Sequence, residues 1–166
     1  QQVLRSAAPA IEIYSIDESF MDLSGLEHSD LDLWAKNLSA KCRKDTGIPI
    51  SVGVAPTKTL AKIASKLCKQ YPKTRGGCYM HRIQDIEKVL KKFPLEDIWG
   101  IGRRYSARFK NYYGLTTAYD FYMKDEAWIH SEMGITGVRT WRELHSIPSI
   151  SFEDAPQTRK QIMVSR

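Results

Sequence analysis

Strand-like and helix-like hydrophobic patterns are segregated along this chain, and the segregation limits the folds available to it. Runs that alternate apolar and polar residues occur only before about residue 80, where stretches with helical periodicity separate them. After about residue 84 only short helical patterns remain, each interrupted by glycine or proline. The first part is predicted to contain two short strands flanking residues 17–19, strands at 48–54 and 78–80, and helices at 30–46 and 56–70.

The change of pattern predicts an α+β chain with two units. Residues 1–82 are expected to form an antiparallel or mixed sheet with two helices, and Ser29 is predicted to be the N-cap of the first helix. Residues 83–147 are expected to form a small all-helical unit, and residues 148–166 an extended linker. The helices of the second unit are predicted at 83–93, 103–113, 116–123, 125–133 and 136–145.

Composition excludes several classes of protein. No apolar run approaches the roughly 18 residues that a membrane-spanning helix needs, so a membrane-spanning helix is excluded. Three cysteines without CxxC spacing predict neither a disulfide framework nor a zinc site, and they fit a reducing cytoplasm. The net charge of +6 indicates a polyanionic partner only where basic residues cluster. Residues 1–10 include no initiator methionine and no signal peptide, so we expect a piece of a longer protein.

Two acidic residues, Asp17 and Glu18, stand where the first strand run ends. On an extended backbone neighbouring side chains point to opposite faces, so both can ligate one metal cluster only if a turn redirects one of them. Carboxylates at a hairpin suit Mg²⁺, and two such ions about 4 Å apart support phosphoryl or nucleotidyl transfer. The alternative is an ordinary solvated turn. Asp22 is interpreted as a structural or surface acid.

The predicted helix at 56–70 carries a row of lysines on one face, and no Asp or Glu occurs between Pro56 and Arg75. Like charges four residues apart repel by roughly 0.2–0.5 kcal/mol per pair, so the row is better placed near phosphates. The alternative is the solvated face of an amphipathic helix. The row consists of Lys58, Lys62, Lys66 and Lys69.

A Gly-x-Gly turn at Gly100 and Gly102 precedes a helical run, in a pattern typical of a helix-hairpin-helix. Glycines let the backbone bring N–H groups and a helix N-terminus against a phosphate oxygen. Arg103 and Arg104 follow directly, and no acid occurs in residues 103–110. The pattern predicts a sequence-independent contact with a nucleic-acid backbone. The alternative is a helical hairpin with a glycine turn.

Three segments together resemble the Y-family translesion DNA polymerases, and most closely the UmuC-type branch, which includes the catalytic subunit of bacterial polymerase V. The segments follow the order and spacing of that family, and the resemblance extends over nearly the whole chain. It implies that residues 1–82 are the C-terminal part of a palm, residues 83–147 a thumb, and residues 148–166 a linker towards a little-finger domain. The segments are YSIDESFMDLSG at 14–25, SVGVAPTKTLAKIASKLCK at 51–69 and PLEDIWGIGRR at 94–104.

The resemblance also implies roles for single residues. Asp17 and Glu18 match the second and third catalytic carboxylates, which hold two Mg²⁺ ions in the family. Lys69 matches the lysine that contacts the incoming triphosphate, although the Pro-Asn-Gly that commonly follows it is replaced here. The positions implied to contact DNA are Ser15 near the primer end, Lys58, the hairpin residues Gly100 and Gly102, and the adjacent Arg103 and Arg104.

The expected function is that of a fragment of an error-prone DNA polymerase, which in its full-length form adds nucleotides to a primer 3′-hydroxyl during DNA damage tolerance and the SOS response. The implied partners are primer–template DNA and a dNTP, with a UmuD-type accessory subunit, a recombinase filament and a sliding clamp for the full-length protein. The family's first catalytic Asp is expected upstream of Gln1, so these residues alone are expected to be inactive. The alternatives are a non-enzymatic helix-hairpin-helix DNA-binding module and a metal-dependent nuclease.

Overall fold

The computed structural model describes residues 2–8, 10–26 and 30–151, which form two small sheets and seven helices. Single turns of 3₁₀-helix lie at Pro72–Thr74 and Leu95–Asp97. The predicted α+β class is confirmed. In chain order the elements are α1 (Gln2–Arg5), β1 (Ala10–Ile13), β2 (Ser19–Asp22), α2 (Leu31–Thr46), β3 (Val52–Val54), α3 (Lys58–Gln70), β4 (Gly77–Tyr79), α4 (Ile83–Leu90), α5 (Arg103–Tyr113), α6 (Ala118–Tyr122) and α7 (Glu126–Leu144).

The strands form two separate pairs in the described residues. β1 and β2 are antiparallel, with Ile13 opposite Ser19. β3 and β4 are parallel, with Gly53 opposite Cys78, and α3 makes the crossover between them. Parallel neighbours require such a crossover because a short turn cannot join them. The sequence pattern located the strands, whereas their division into two sheets depends on contacts between distant segments.

The first long helix, α2, begins after Asp30, whose carboxylate accepts a hydrogen bond from the Leu33 N–H at 3.0 Å. The prediction of Ser29 as the N-cap is therefore wrong, and Ser29 itself lies outside the described residues. Aspartate and serine cap helices equally well, so the local pattern did not distinguish two adjacent capping residues. The helix ends as predicted at Gly47, which adopts the left-handed conformation with φ 72°.

Both parallel strands lie against helices at glycine positions. A Cβ at Gly53 would lie 2.2 Å from the backbone nitrogen of Ser65, and a Cβ at Gly77 would lie 2.4 Å from that of Lys36. Glycine therefore lets the backbone of α3 approach β3, and that of α2 approach β4. This close packing fixes the distance of α3 from the sheet, and with it the positions of the lysines along α3.

After Tyr79 the described chain contains helices without further strands, as predicted. The helix α5 has the predicted bounds because a glycine flanks each of its ends. The helices predicted at 125–133 and 136–145 form one element, α7, which is kinked at Gly134 (φ 69°, ψ −159°). None of the described helices combines the length and the apolar content that a membrane crossing requires.

One hydrophobic core continues across the predicted boundary between the two units. Leu60 and Ile63 of α3 belong to the same buried cluster as Phe109 of α5 and Leu144 of α7. The end of the strands near residue 80 agrees with the expected change of architecture. The position of a domain boundary stays a prediction, because buried side chains from both parts pack together.

A buried carboxylate joins α7 to the start of α3. Glu143 is 1% exposed, and its Oε1 accepts hydrogen bonds from the N–H and the hydroxyl of Thr59 at 3.0 and 3.1 Å. Its Oε2 accepts the N–H of Ser149 at 2.9 Å, and its backbone carbonyl accepts the hydroxyl of Thr57 at 2.8 Å. A negative charge at a helix N-terminus is favoured by the helix dipole. The contact therefore fixes the helical part against the helix that carries the lysine row.

Candidate functional site

The loop between β1 and β2 presents Asp17 and Glu18 at the surface. The backbone N–H groups of Tyr14 and Ser15 both donate to the carbonyl of Glu18 at 3.1 Å, so the chain doubles back between residues 14 and 18. Asp17 Oδ1 accepts the Ser15 hydroxyl at 2.9 Å. The strand alternation that would send the two side chains to opposite faces is thus interrupted by a bend, as a shared metal site requires.

The second carboxylate lies against the lysine row. Glu18 Oε2 is 2.8 Å from Lys62 Nζ, and the same ammonium lies 4.7 Å from the centre of the Tyr14 ring and 5.3 Å from that of Trp99. A cation over aromatic faces is held by the ring quadrupoles as well as by its ion pair. The carboxylate hairpin and the lysine helix, 44 residues apart in sequence, therefore meet at one place.

Two further lysines of the row are paired with acids from other elements. Lys58 contacts Glu12 of β1, and Lys66 contacts Asp97 at 2.6 Å. The missing acids that made the row unusual in sequence are thus supplied by distant segments. Lys69 is exposed and makes no ion pair within the described residues, so its ammonium is available to an external anion.

An aromatic contact joins the carboxylate hairpin to the Gly-x-Gly hairpin. The indole N–H of Trp99 donates to the Tyr14 hydroxyl at 3.1 Å, and the two ring centres are 5.4 Å apart in an edge-to-face arrangement. The Phe20 ring lies 5.6 Å from Trp99. The sequence did not predict this contact, because nothing local to Trp99 indicates a partner 85 residues away.

The two glycines of the hairpin have different requirements. Gly100 has φ 92°, and a Cβ there would lie 2.7 Å from the Thr140 hydroxyl, so both backbone conformation and packing favour glycine. Gly102 is the N-cap of α5 with φ −79° and ψ 173°, values open to any residue, and a Cβ there would meet nothing within 4 Å. Neither conformation nor packing within the described chain requires glycine at position 102, whereas a close external ligand would.

The start of α5 combines free cations with unpaired helix N–H groups. Arg103 and Arg104 are exposed, and neither guanidinium makes an ion pair within the described part of the chain. No side chain caps the helix N-terminus at Gly102, so the first N–H groups are left for solvent or an anion. Arg103 also lines an open cleft of about 560 Å³, and Glu96 and Asp97 are among the other residues that line it.

Among the acids of the hairpin, Asp22 has a structural function. Hydrogen bonds from the hydroxyl and the N–H of Ser24, at 2.6 and 2.9 Å, lower the pKa of Asp22. This carboxylate closes the turn after β2, as its interpretation as a structural acid anticipated.

The described residues contain no group of three or more His, Cys, Asp or Glu side chains arranged to hold a metal ion. A site at the hairpin would therefore rest on two carboxylates, the number that Mg²⁺ commonly takes from a protein.

Two family models match the chain. The impB/mucB/samB family matches residues 1–66, and the IMS family HHH motif matches residues 84–115, so the two together include more than half of the chain. The second match contains the Gly-x-Gly hairpin and α5.

Comparisons with single proteins also find similarity over most of the chain. The chain is 38% identical to Protein SamB of Salmonella typhimurium over an alignment of 166 positions that covers 98% of this chain and 39% of SamB. It is 35% identical to DNA polymerase IV 1 of Halalkalibacterium halodurans over an alignment of 139 positions that covers 82% of this chain and 32% of that protein. An insertion ternary complex of Dbh DNA polymerase superposes with a TM-score of 0.65 at 26% identity, covering 86% of this chain and 41% of Dbh. The chain thus spans well under half the length of each of these proteins.

Proposed function

We propose that the chain, which belongs to the impB/mucB/samB family of Y-family DNA polymerases, forms part of an error-prone translesion polymerase. This part would connect the catalytic carboxylates to a hairpin that binds DNA. The whole enzyme would add nucleotides to a primer 3′-hydroxyl during DNA damage tolerance in the cytoplasm. The observation that carries the proposal is the contact of the Asp17–Glu18 hairpin with the Gly-x-Gly hairpin through Tyr14 and Trp99.

In this proposal Asp17 and Glu18 hold Mg²⁺ beside the lysine helix. Bound there, the ions would lower the pKa of the primer 3′-hydroxyl and neutralise the leaving pyrophosphate. Ser15, whose hydroxyl donates to Asp17, orients that carboxylate close to the primer end. The donor set fits, because both residues are exposed and belong to the bend between β1 and β2, where the alternation of a regular strand is interrupted.

The cations of the site divide into paired and unpaired ones. Lys69, which makes no ion pair within the described residues, is proposed to contact the phosphates of the incoming dNTP. Lys62 instead balances the charge of Glu18. Lys58 is proposed to contact DNA, although its side chain is only 10% exposed and contacts Glu12 in this structure, so it would have to leave or share that partner.

The Gly-x-Gly hairpin is proposed to hold a phosphate of primer–template DNA without reading its sequence. Backbone N–H groups near Gly100 and Gly102 and the start of α5 supply the donors, and Arg103 and Arg104 supply the charge. The open space at Gly102 leaves room for the phosphate. Residues 1–82 would then act as palm and residues 83–147 as thumb, with 148–166 leading to a little finger. A UmuD-type subunit, a recombinase filament and a sliding clamp are proposed partners of the whole protein.

Duplex DNA binding by the 166-residue chain is expected to depend on Arg103 and Arg104. Replacing either with alanine should weaken binding at least about threefold in low salt and reduce the slope of log K against log salt by about 1. The matched control is Arg82→Ala, which removes an exposed arginine at the start of α4 that is paired with Asp85 at 2.7 Å. Fluorescence anisotropy across a salt series measures both quantities. Equal losses for all three variants would show that general positive charge binds the DNA instead of the hairpin.

The test of polymerase function is primer extension by a chimera. These 166 residues replace the matching segment of DNA polymerase IV 1, to which the chain is 35% identical. The chimera is expected to extend a primer on an undamaged template with Mg²⁺, whereas the 166-residue chain alone is expected to show no extension. A folded chimera that binds primer–template DNA and extends nothing would contradict the proposal.

A non-enzymatic DNA-binding module is the second candidate function. It is favoured by the unpaired Arg103 and Arg104 and by the absence of a three-ligand metal cluster in the described residues. The chimera separates the two functions, because a DNA-binding module predicts retained DNA affinity without nucleotide incorporation.

A further inference from the structure

Two cysteines that are separated in sequence meet between α3 and β4. The Sγ atoms of Cys68 and Cys78 are 3.2 Å apart. A disulfide has a sulfur–sulfur distance of about 2 Å, so an approach of roughly 1 Å joins the two residues. Cys68 is 6% exposed, whereas Cys78 is partly exposed and gives small molecules a route to the pair.

The packing of the βαβ unit produces this contact. Cys78 lies opposite Gly53 in the parallel register, and the missing side chain at Gly53 lets α3 approach the strands closely. Cys68, in the last turn of α3, also lies 3.8 Å from the carbonyl of Val52, which precedes Gly53. The two thiols are therefore held in place by rigid backbone on both sides, rather than meeting through a mobile loop.

The contact also divides the roles of the two thiols. The Cys78 thiol stabilises the Cys68 thiolate and so lowers the pKa of Cys68, while the same interaction raises the pKa of Cys78. Burial raises the pKa of the third cysteine, Cys42. Since the thiolate is the nucleophile, the direction of these pKa shifts favours Cys68 as the attacking residue and Cys78 as the resolving one, an assignment that the variants below test.

We propose that Cys68 and Cys78 form a reversible oxidation site that reacts with hydroperoxides. The disulfide that results links α3 to β4. The Cys68 thiolate attacks the terminal peroxide oxygen, the O–O bond breaks, and hydroxide (from hydrogen peroxide) or an alkoxide (from an organic hydroperoxide) leaves to give a sulfenic acid. The sulfur of Cys78 then attacks the Cys68 sulfur, the S–O bond breaks, and the thiol proton leaves with the hydroxyl as water. The two sulfurs supply the two electrons that reduce the peroxide, and a dithiol reductant reverses the reaction.

The disulfide would close a ring that contains Lys69 and the 3₁₀ turn that follows it. Closing a short loop removes conformational freedom from the unfolded chain, and it would fix the end of α3 against β4. The oxidation itself does not depend on the polymerase function.

The experiment treats the native 166-residue chain, dilute and at neutral pH, with hydrogen peroxide, and blocks the remaining thiols with N-ethylmaleimide. Free thiols are expected to fall from three to one, with a mass loss of two hydrogens located by peptide mapping to a Cys68–Cys78 cross-link. Dithiothreitol is expected to restore all three. Retention of three thiols under peroxide that oxidises a reference dithiol, or a cross-link that includes Cys42, would overturn the proposal.

Matched variants assign the two roles. Cys42→Ser is expected to leave formation of the cross-link unchanged. Cys78→Ser removes the resolving thiol, so the sulfenic acid on Cys68 should persist and a dimedone adduct should accumulate there. Cys68→Ser should form no cross-link, and dimedone should label Cys78 only slowly. Equal labelling of the remaining cysteine in both variants would contradict the assignment of Cys68 as nucleophile. The mapping of the unmodified chain remains decisive if a variant folds poorly.

Discussion

Replacement of Asp17 with asparagine is expected to reduce single-nucleotide incorporation by the chimera on the order of a thousandfold, equivalent to about 4 kcal/mol of transition-state stabilisation. Asparagine keeps the size of the side chain and can still accept the Ser15 hydroxyl, so the hairpin should keep its shape. The substitution removes the negative charge with which Asp17 would hold a divalent cation. Rapid-quench measurements at saturating dNTP and Mg²⁺ give the rate.

The control for this variant is Asp30→Asn, which makes the same change of charge elsewhere in the chain. Asp30 caps α2, and asparagine caps helices as well as aspartate does, so the rate should stay within about twofold. Both variants should bind duplex DNA like the unmodified chimera, because Arg103 and Arg104 are intact. A rate for Asp17→Asn within about tenfold of the unmodified chimera would exclude Asp17 as a metal-holding carboxylate.

Local sequence signals were sufficient for most elements of the fold. The helix α5 was predicted with its observed bounds because Gly102 and Gly114 lie immediately outside its two ends. The hairpin that carries Asp17 was predicted because two apolar runs flank a polar bend. Each of these features is determined by residues within a few positions, where periodicity, caps and turns act. The choice between Ser29 and Asp30 as the N-cap failed because two good capping residues were adjacent.

The contacts that assemble the candidate site could not be predicted in this way. The row that contains Lys62 was predicted to lie near phosphates or to form a solvated face, because no acid lay nearby in sequence, yet Glu18 pairs with Lys62 from 44 residues away. The cysteines gave no recognisable spacing, and Cys68 and Cys78 become a pair only when α3 packs on β3 and β4. Such contacts depend on how elements pack, and packing leaves no periodic signal in one sequence.

The burial of Glu143, the most deeply buried charged residue among those that the structure describes, could not be predicted for the same reason. Glu143 stands in a helical pattern where a charged residue indicates a solvated face. In the structure it is 1% exposed and accepts three hydrogen bonds from Thr59 and Ser149. Burial of a carboxylate is unfavourable unless such donors compensate for lost hydration. The donors belong to α3 and to the segment after α7, so Glu143 depends on the tertiary arrangement and also stabilises it.

Replacing Glu143 with alanine is expected to lower the free energy of unfolding by about 3 kcal/mol, because the variant leaves two buried donors of Thr59 and the partly buried N–H of Ser149 without an acceptor and opens a cavity. Glutamine keeps an oxygen for Thr59 but turns an amide NH₂ towards the N–H of Ser149, so a smaller loss of roughly 1–2 kcal/mol is expected. The matched control, Glu96→Ala, removes an exposed glutamate and should change stability by less than about 0.5 kcal/mol. Urea unfolding at neutral pH measures all three.

The informative result is the ranking of the three variants by their loss of stability, which should be largest for Glu143→Ala, smaller for Glu143→Gln and smallest for Glu96→Ala. If the main contribution of Glu143 were its negative charge at the start of α3, glutamine would be as damaging as alanine, since both remove that charge. If its main contribution were to satisfy the Thr59 donors, glutamine would recover much of the loss. The two hydrogen bonds from Thr59, at 3.0 and 3.1 Å, and the near-complete burial of Glu143 favour the second account, because an unsatisfied buried donor costs more than the interaction of a charge with a helix dipole. Similar stability for Glu143→Ala and Glu96→Ala would show that the carboxylate does not join α7 to α3.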